Sequence, residues 1–249
     1  MSRAGLYRTL VILASLACLE AACRLGIIDR FSLIPPSQML ESAATILISG
    51  RHTGDILLTF ATVAGAAILS IVVGFLAGLL LYGVPRLKRA ADPFLASYYA
   101  VPSFIFYPLF IVMFGLNRWP LVAVAFTFAF VAMAISTVDG FLGVRPILLR
   151  TARSLRLSRA ETIRLVILPA AAPYLFTGVK LAIVYAFIGV VAGEFILSGS
   201  GLGFRIAFSY QSFETATMYG LMLILLVSVV GINMTLWAYE RRLYARMSR

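Results

Sequence analysis

A charge-free stretch of 30 residues, ILLTFATVAGAAILSIVVGFLAGLLLYGVP, runs from Ile56 to Pro85. About 20 mostly apolar residues are enough for a helix to cross the hydrocarbon core of a bilayer. Three further stretches lack Asp, Glu, Lys and Arg over a similar length: Pro93–Asn117 with 25 residues, Trp119–Val138 with 20 and Thr215–Tyr239 with 25. The sequence therefore predicts a membrane protein with at least four spanning helices.

The composition supports the same class of protein. Of the 249 residues, 61% are hydrophobic and 12% are charged, whereas soluble domains have roughly 45–50% and about 25%. A soluble domain of this size could not bury so much apolar surface, because most of its residues would still touch the outside. The composition therefore excludes a soluble enzyme, a disordered tail and a secreted disulfide-rich scaffold.

The basic residues lie between the apolar stretches. The chain carries 21 Lys and Arg against 10 Asp and Glu, for a net charge of +11. This distribution is typical of the cytoplasmic loops of membrane proteins, so we expect no nucleic-acid binding. Cys18 and Cys23 are five residues apart and do not share a helix face, so neither a disulfide nor a metal site is expected there.

Two more stretches are apolar but contain charges. Leu6–Ile28 contains three charged residues and is interpreted as an uncleaved first helix, and Pro173–Leu197 contains two. The predicted fold class is therefore an all-α membrane protein with six transmembrane helices. These spans are expected at about residues 6–28, 56–83, 94–116, 119–141, 173–197 and 216–239.

An even number of spans places both termini on the same side of the membrane. With the N-terminus inside, 15 of the 21 basic residues fall in cytoplasmic segments, five fall outside, and Lys180 lies within a span. The positive-inside rule therefore predicts an N-in, C-in orientation. Outside, after a Pro35-Pro36 break, Gln38–Ser49 is expected to form an amphipathic helix near the membrane interface.

The second predicted span has small residues at a strict spacing of four. They are Thr62, Ala66, Ser70, Gly74 and Gly78, and this spacing aligns them on one face where another helix can approach closely. The pattern fits packing within the chain and packing against a second subunit equally well.

Four residues within the predicted spans are candidates for a translocation pathway. Pro102 and Pro108 each remove a backbone donor and are expected to kink the third span. Lys180 and Glu194 are ionisable groups within the fifth span, which are costly in a membrane unless paired or hydrated. They are 14 residues apart, or about 21 Å and about 40° around a helix, so they share a face but cannot pair with each other. That face should point towards protein or a water-filled cavity, unless each side chain snorkels to its own interface.

The predicted cytoplasmic segment 143–172 is long and rich in arginine. Pro146–Leu155 can form a short helix, and Ser158 and Glu161 have the spacing of a capping box that starts a second helix. This second helix is expected to end or kink near Pro169. A loop that only turned the chain would need few residues, so we interpret this one as a docking element for a soluble partner. The alternative is a basic patch that binds anionic lipid.

Motifs for catalysis are not found. The chain has no Gly-x-x-x-x-Gly-Lys-[Ser/Thr] sequence that would hold ATP. No base accompanies Ser200 as a nucleophile, so we predict no catalytic residue, no metal site and no bound cofactor.

The chain resembles the membrane-spanning permease subunits of binding-protein-dependent ABC importers, and most closely the branch that handles nitrate, sulfonates and taurine. The resemblance covers nearly the whole chain. Its matching pieces include Asp92-Pro93-Phe94-Leu95, Val166-Ile167-Leu168-Pro169, Gly178-Val179-Lys180, Glu194 and Gly201-Leu202-Gly203.

The cytoplasmic signature of this family is Glu-Ala-Ala, three residues, Gly, nine residues, then Ile-x-Leu-Pro. Counting back from Pro169 places Arg150 on the acidic position and Arg156 on the glycine. The front half of the signature is therefore degenerate, and an arginine at the glycine position would need a solution with φ < 0. By the resemblance, the ATPase-coupling residues of this loop are Arg150, Ala152, Arg153, Ser154, Leu155, Arg156, Leu157, Ser158, Glu161 and Pro169.

The resemblance also implies the partners. Two copies of the permease would line one pathway in a bacterial cytoplasmic membrane, two cytoplasmic ATPase subunits would dock on the loops, and an external solute-binding protein would deliver a small anionic or polar organic solute. The chain itself would have no ATPase site. An alternative is a secondary transporter driven by an ion gradient, which would need a carboxylate near the midplane, whereas Glu194 and Asp139 lie near span ends. A membrane scaffold is a third interpretation.

Overall fold

The computed structural model describes residues 3–29, 32–98 and 101–247, and the described chain is helical throughout, without strands. Its α-helices are α1 Arg3–Arg24, α2 Pro36–Ser49, α3 Thr53–Gly83, α4 Pro85–Tyr98, α5 Tyr107–Phe114, α6 Trp119–Leu142, α7 Pro146–Ser154, α8 Arg159–Thr162, α9 Leu168–Leu197, α10 Leu202–Gln211 and α11 Thr215–Met247. A 3-10 turn at Ser103–Phe106 precedes α5, and a π-helical turn at Ile163–Ile167 joins α8 to α9.

Within the described residues, four helical stretches are long and apolar enough to cross a membrane. They are Thr53–Gly83, Trp119–Leu142, Arg159–Ile196 and Thr215–Arg242. The all-helical class is thus confirmed. Three of these stretches contain the predicted spans 56–83, 119–141 and 216–239, and Arg159–Ile196 contains all but the last residue of 173–197.

The expected third span, residues 94–116, is not one kinked helix. Helix α4 ends at Tyr98, and the chain forms helix again only in the 3-10 turn and α5. Pro102 lies in the connection, where its carbonyl accepts a hydrogen bond from Ile105 N at 3.0 Å. Pro108 lies in the first turn of α5, where a proline costs no helical hydrogen bond. Here the prolines separate helices instead of bending a continuous one.

The chain divides into two compact units, and the first contains Met1–Leu58 and Glu194–Gly231. Its apolar core brings α2 together with α10 and α11 through Ala43, Ile46, Leu202, Ile206, Leu221 and Ile224. The closest approach is at Gly220, where an added Cβ would lie 2.5 Å from Ser42 Oγ. Ser42 Oγ also donates a hydrogen bond to Ala216 O at 2.7 Å. The segment predicted to be an amphipathic helix is thus α2, and it packs on the start of α11.

The second unit contains Thr59–Gly193 and Ile232–Arg249. Helix α6 is its centre, and glycines on the neighbouring helices lie directly against it. An added Cβ at Gly74 would lie 2.6 Å from Phe130 O, and one at Gly78 would lie 2.7 Å from Ala134 O. On the α9 side, a Cβ at Gly189 would lie 2.6 Å from the Cα of Ala125. Gly74 and Gly78 therefore serve packing within the chain, the first of the two interpretations of this spacing.

Gly78→Ala is expected to destabilise the protein, because its Cβ would meet the Thr137 side chain and the backbone of α6. Overpacking of this kind costs about 1–3 kcal/mol of unfolding free energy. Gly65→Ala on the same helix is the control, since nothing lies within 4 Å of its added Cβ, and removing a helical glycine should leave stability unchanged or raise it. Thermal unfolding in detergent measures both. Equal stability of the two variants would contradict the packing assigned to Gly78.

Candidate functional site

Helix α7 ends in a tight, fully hydrogen-bonded turn. Leu157 N donates to Ala152 O at 3.1 Å, and Arg156 N donates to Arg153 O at 3.0 Å. These two bonds form a Schellman motif, which requires a left-handed residue immediately after the C-cap. Arg156 occupies that position with φ +52°.

The expectation that Arg156 would adopt φ < 0 is therefore wrong. Arg156 takes the place of the glycine in the family signature, and this is the one position of the turn that needs the left-handed conformation. An L-residue with a Cβ adopts it at a cost of about 1–2 kcal/mol, which the two hydrogen bonds of the turn offset. The turn therefore survives without glycine, and the Arg156 side chain is exposed.

The next helix starts with the predicted capping box, which the structure confirms. Ser158 Oγ accepts a hydrogen bond from Glu161 N at 3.2 Å, and Glu161 Oε2 accepts one from Ser158 N at 2.8 Å. The two side chains satisfy donors that a helix start leaves without partners. Leu157, the last residue of the Schellman motif, directly precedes Ser158 of the capping box, so the geometry between α7 and α8 is fixed by local contacts.

The sequence predicts that the helix after this turn ends or kinks near Pro169. The helix does not end there. The backbone changes to a π-helical turn over Ile163–Ile167, in which Leu168 N donates to Ile163 O. The chain then continues as α9 through Pro169. A π turn is one of the recognised ways in which a helix accommodates an irregularity of this kind. The second half of the loop, from Arg159, and the following span thus form a single helical stretch.

The loop carries an open apolar groove with a cavity of about 360 Å³. Side chains from α7, the turn and the start of α9 line it: Leu148, Thr151, Ala152, Leu155, Leu157, Leu165, Val166, Pro169 and Ala170. Leu155 is 66% exposed and Leu165 is 60% exposed. Beneath the groove, Ile167 and Ala171 belong to an apolar cluster with Phe141 of α6. The groove is therefore open on one side and anchored to the membrane helices on the other.

The folded loop that carries this groove also carries five exposed arginines. They are Arg150, Arg153, Arg156, Arg159 and Arg164. All the predicted coupling residues lie between the start of α7 and the first turn of α9, so the apolar groove and these positive charges belong to one folded element.

Lys180 and Glu194, the two ionisable residues within the fifth predicted span, each have a partner. Lys180 Nζ lies 2.7 Å from Glu240 Oε2 of α11, with side chains 23% and 14% exposed. Glu194 is fully buried, and its Oε2 accepts a hydrogen bond from Gly203 N at 3.0 Å. Gly203 is in the first turn of α10, where backbone N–H groups favour a negative charge. Glu194 therefore caps α10, and Lys180 joins α9 to α11.

A second carboxylate, which the sequence reasoning missed, holds the same helix start. Asp55 Oδ1 accepts a hydrogen bond from Gly201 N at 2.9 Å, and its Oδ2 lies 2.6 Å from Arg205 Nε. Gly201 has φ +101°, and a Cβ there would collide with the carboxylate of Glu194. The signal available in the sequence was Gly201-Leu202-Gly203, a glycine pair at a helix start.

Glu240 was also missed as a functional residue. Its signal was Lys180 itself, because a lysine within a span needs an opposite charge. Pro102, Pro108, Lys180 and Glu194 were predicted to share a pathway, but the contacts above tie each to its own local partners. Their role in a pathway stays a prediction.

Residues 70–249 match the family model described as the inner membrane component of binding-protein-dependent transport systems. The chain belongs to this family. It is therefore a multi-pass membrane permease of the ABC importer type, and this confirms the resemblance found in the sequence.

Curated relatives match over most of their length. A protein of Brucella melitensis biotype 1, named a probable ABC transporter permease, is 29% identical over 211 residues, which cover 84% of this chain and 85% of the relative. The taurine transport system permease protein TauC of Escherichia coli (strain K12) is 28% identical over 232 residues, or 88% of this chain and 82% of that protein. A chain of the methionine ABC transporter MetNI, solved in inward-facing conformations, superposes with a TM-score of 0.68 at 18% identity, covering 79% of this chain and 97% of that one. This last likeness shows the shared fold.

Arg156→Gly is expected to stabilise the Schellman turn by about 1 kcal/mol, because glycine adopts the left-handed conformation without steric cost. Arg156→Ala is the control, since alanine removes the guanidinium but keeps the Cβ. Hydrogen–deuterium exchange of the loop amides measures the effect, and slower exchange is expected for glycine alone. Slower exchange in both variants would mean that the guanidinium, rather than the backbone, destabilises the turn.

Gly201→Ala is expected to destabilise the protein by about 1–3 kcal/mol, because it combines an unfavourable backbone conformation with a collision against Glu194. Gly199→Ala is the matched control, as its added Cβ has nothing within 4 Å. Thermal unfolding of the two purified variants compares them. A Gly201→Ala variant as stable as the Gly199→Ala variant would show that Glu194 does not hold α10.

Proposed function

We propose that this chain is the translocation subunit of an ABC importer and that its 143–172 loop couples solute movement to ATP hydrolysis by a separate ATPase. The observation that carries the proposal is the open apolar groove of α7 and α9, which lies on an element with five exposed arginines and is anchored on α6. A basic patch for lipid would need the charges but not a preformed groove on a rigid turn. The groove is the better match to a protein partner, because the fully buried core of a protein–protein interface is more apolar than the rest of the surface and arginine is enriched in such interfaces.

The proposed complex contains two copies of this chain, two cytoplasmic ATPase subunits and an external solute-binding protein in a bacterial inner membrane. The proposed topology keeps six spans with both termini inside, so that α1 and the α4–α5 region supply the two crossings beyond the four long apolar helices. ATPase closure would move the two loops as rigid elements and switch access between the two sides.

The proposed solute is a small anionic or polar organic molecule, with taurine-like sulfonates as the first choice. The support is the match to the taurine permease, which extends over 88% of this chain. Uptake of labelled taurine into proteoliposomes, with and without excess nitrate, tests this choice. An ion-coupled secondary transporter gains no support from Glu194, since its buried carboxylate accepts a hydrogen bond from the start of α10.

Leu155→Asp tests the docking role of the groove. Leu155 is exposed and lines the groove, so a charge there should reduce recovery of the ATPase with the tagged permease by about tenfold or more, because burying one leucine is worth about 1.5–3 kcal/mol. Ile147→Asp is the control, since Ile147 is equally exposed on α7 but does not line the groove. Both variants are first checked for normal membrane insertion.

The parent protein must itself recover a P-loop ATPase at about one copy per permease when purified from native membranes in mild detergent. Absence of an ATPase from the parent would discard the proposed function. Equal recovery from both variants, with an ATPase present in the parent, would remove the groove as the docking site and leave the importer assignment in place.

A further inference from the structure

The ion pair between Lys180 and Glu240 links two helices that are distant in the sequence. The residues are 60 positions apart, and Lys180 Nζ donates a hydrogen bond to Glu240 Oε2 at 2.7 Å. Both side chains are mostly buried. A hydrogen bond between two charged groups is short and directional, and in surroundings of low polarity it is far stronger than on a wet surface.

The pair lies nearer to the loop end of α9 than to its other end. On α9, Lys180 is 11 residues from Pro169 and 17 from Leu197, or about 17 Å and about 26 Å along the helix. On α11, Glu240 is 25 residues from Thr215, or about 38 Å. The pair therefore joins α11 close to the end of α9 that continues into the loop.

A displacement of the loop must act on this pair. The second half of the loop and α9 are one helical stretch, Arg159–Ile196, and Leu165 and Val166 of this stretch line the groove, so a push on the groove is transmitted along the helix axis. A slide of α9 by one helical turn, about 5.4 Å, would break a 2.7 Å contact and leave both charges unpaired in apolar surroundings. Because unpaired buried charges are strongly unfavourable, the pair opposes a slide of α9 against α11.

We infer that Lys180 and Glu240 form a strut that makes α9 and α11 move as one body when the ATPases displace the coupling loop. They are positioning residues and need not touch the solute. The inference rests on the proposed function, because a strut between these helices transmits motion only if a partner moves the loop.

The test uses the complex of permease, ATPase and solute-binding protein in proteoliposomes, and measures solute transported per ATP hydrolysed together with the unfolding temperature. Lys180→Met and Glu240→Gln should each lower the transport ratio at least about fivefold, the lower end of usual coupling effects. The exchanged pair Lys180→Glu with Glu240→Lys should restore the ratio to within about twofold of the parent. Lys88→Met is the control, because Lys88 pairs with Asp92 on the same helix and joins no two helices.

A further double variant, Lys180→Met with Glu240→Met, separates coupling from folding. Replacing both members of a buried ion pair by apolar residues leaves no unpaired charge and is often neutral for stability. We expect it to unfold at the temperature of the parent while transporting less solute per ATP. The strut would be overturned if this variant transported as much solute per ATP as the parent. It would also be overturned if the exchanged pair recovered stability without recovering the amount of solute transported per ATP.

The same experiment separates this inference from the proposed function. A parent complex that shows no ATP-dependent uptake overturns both. A parent that couples hydrolysis to uptake, with single variants that couple equally well, overturns the strut and leaves the importer assignment unaffected.

Discussion

Hydrocarbon supplies no hydrogen-bond partner, so each polar group that the chain takes into the bilayer must find its partner within the protein. Glu194 finds the N-terminal amide of Gly203, and Lys180 finds Glu240. Hydroxyls follow the same rule, since Thr137 Oγ1 donates to Met133 O at 2.8 Å within α6. The first two contacts join different helices, and the third lies within one helix. The same hydrogen bonds that satisfy the polar groups therefore also hold the helices in position.

Close packing is the second consequence of the apolar solvent. Lipid tails are as apolar as leucine, so helices gain little from the hydrophobic effect when they associate and depend on contact instead. Glycines at 74 and 78 bring α3 onto α6, and Gly189 brings α9 onto the other side of α6. The 143–172 loop rests on one end of this packed group through Ile167 and Phe141. The groove is thereby mounted on closely packed helices.

Local patterns in the sequence predicted local structure well. Three of the four charge-free stretches and the Ser158–Glu161 capping box depend on residues within one or two turns of each other, and the structure contains them. The conformation of Arg156 was predicted wrongly. The Schellman turn requires a left-handed residue at this position, and this requirement outweighs the preference of arginine for φ < 0. The prolines of the third stretch were expected to bend a helix, yet they separate two. Glu240 and Asp55 could not be assigned, since their partners are 60 and 146 positions away and no periodicity connects them.

The distance between Lys180 and Glu240 also sets an order of events during biosynthesis. When Gly203 leaves the ribosome, Glu194 and Asp55 have already been made, so α10 can be capped at once. The partner of Lys180, in contrast, is made only after 60 further residues, which takes about 3–12 s at ordinary rates of synthesis. During that time α9 holds an unpaired charge, at a cost of about 2.5–3.5 kcal/mol on insertion scales. The synthesis of α11 removes this cost, so α11 is the helix that completes the insertion of α9.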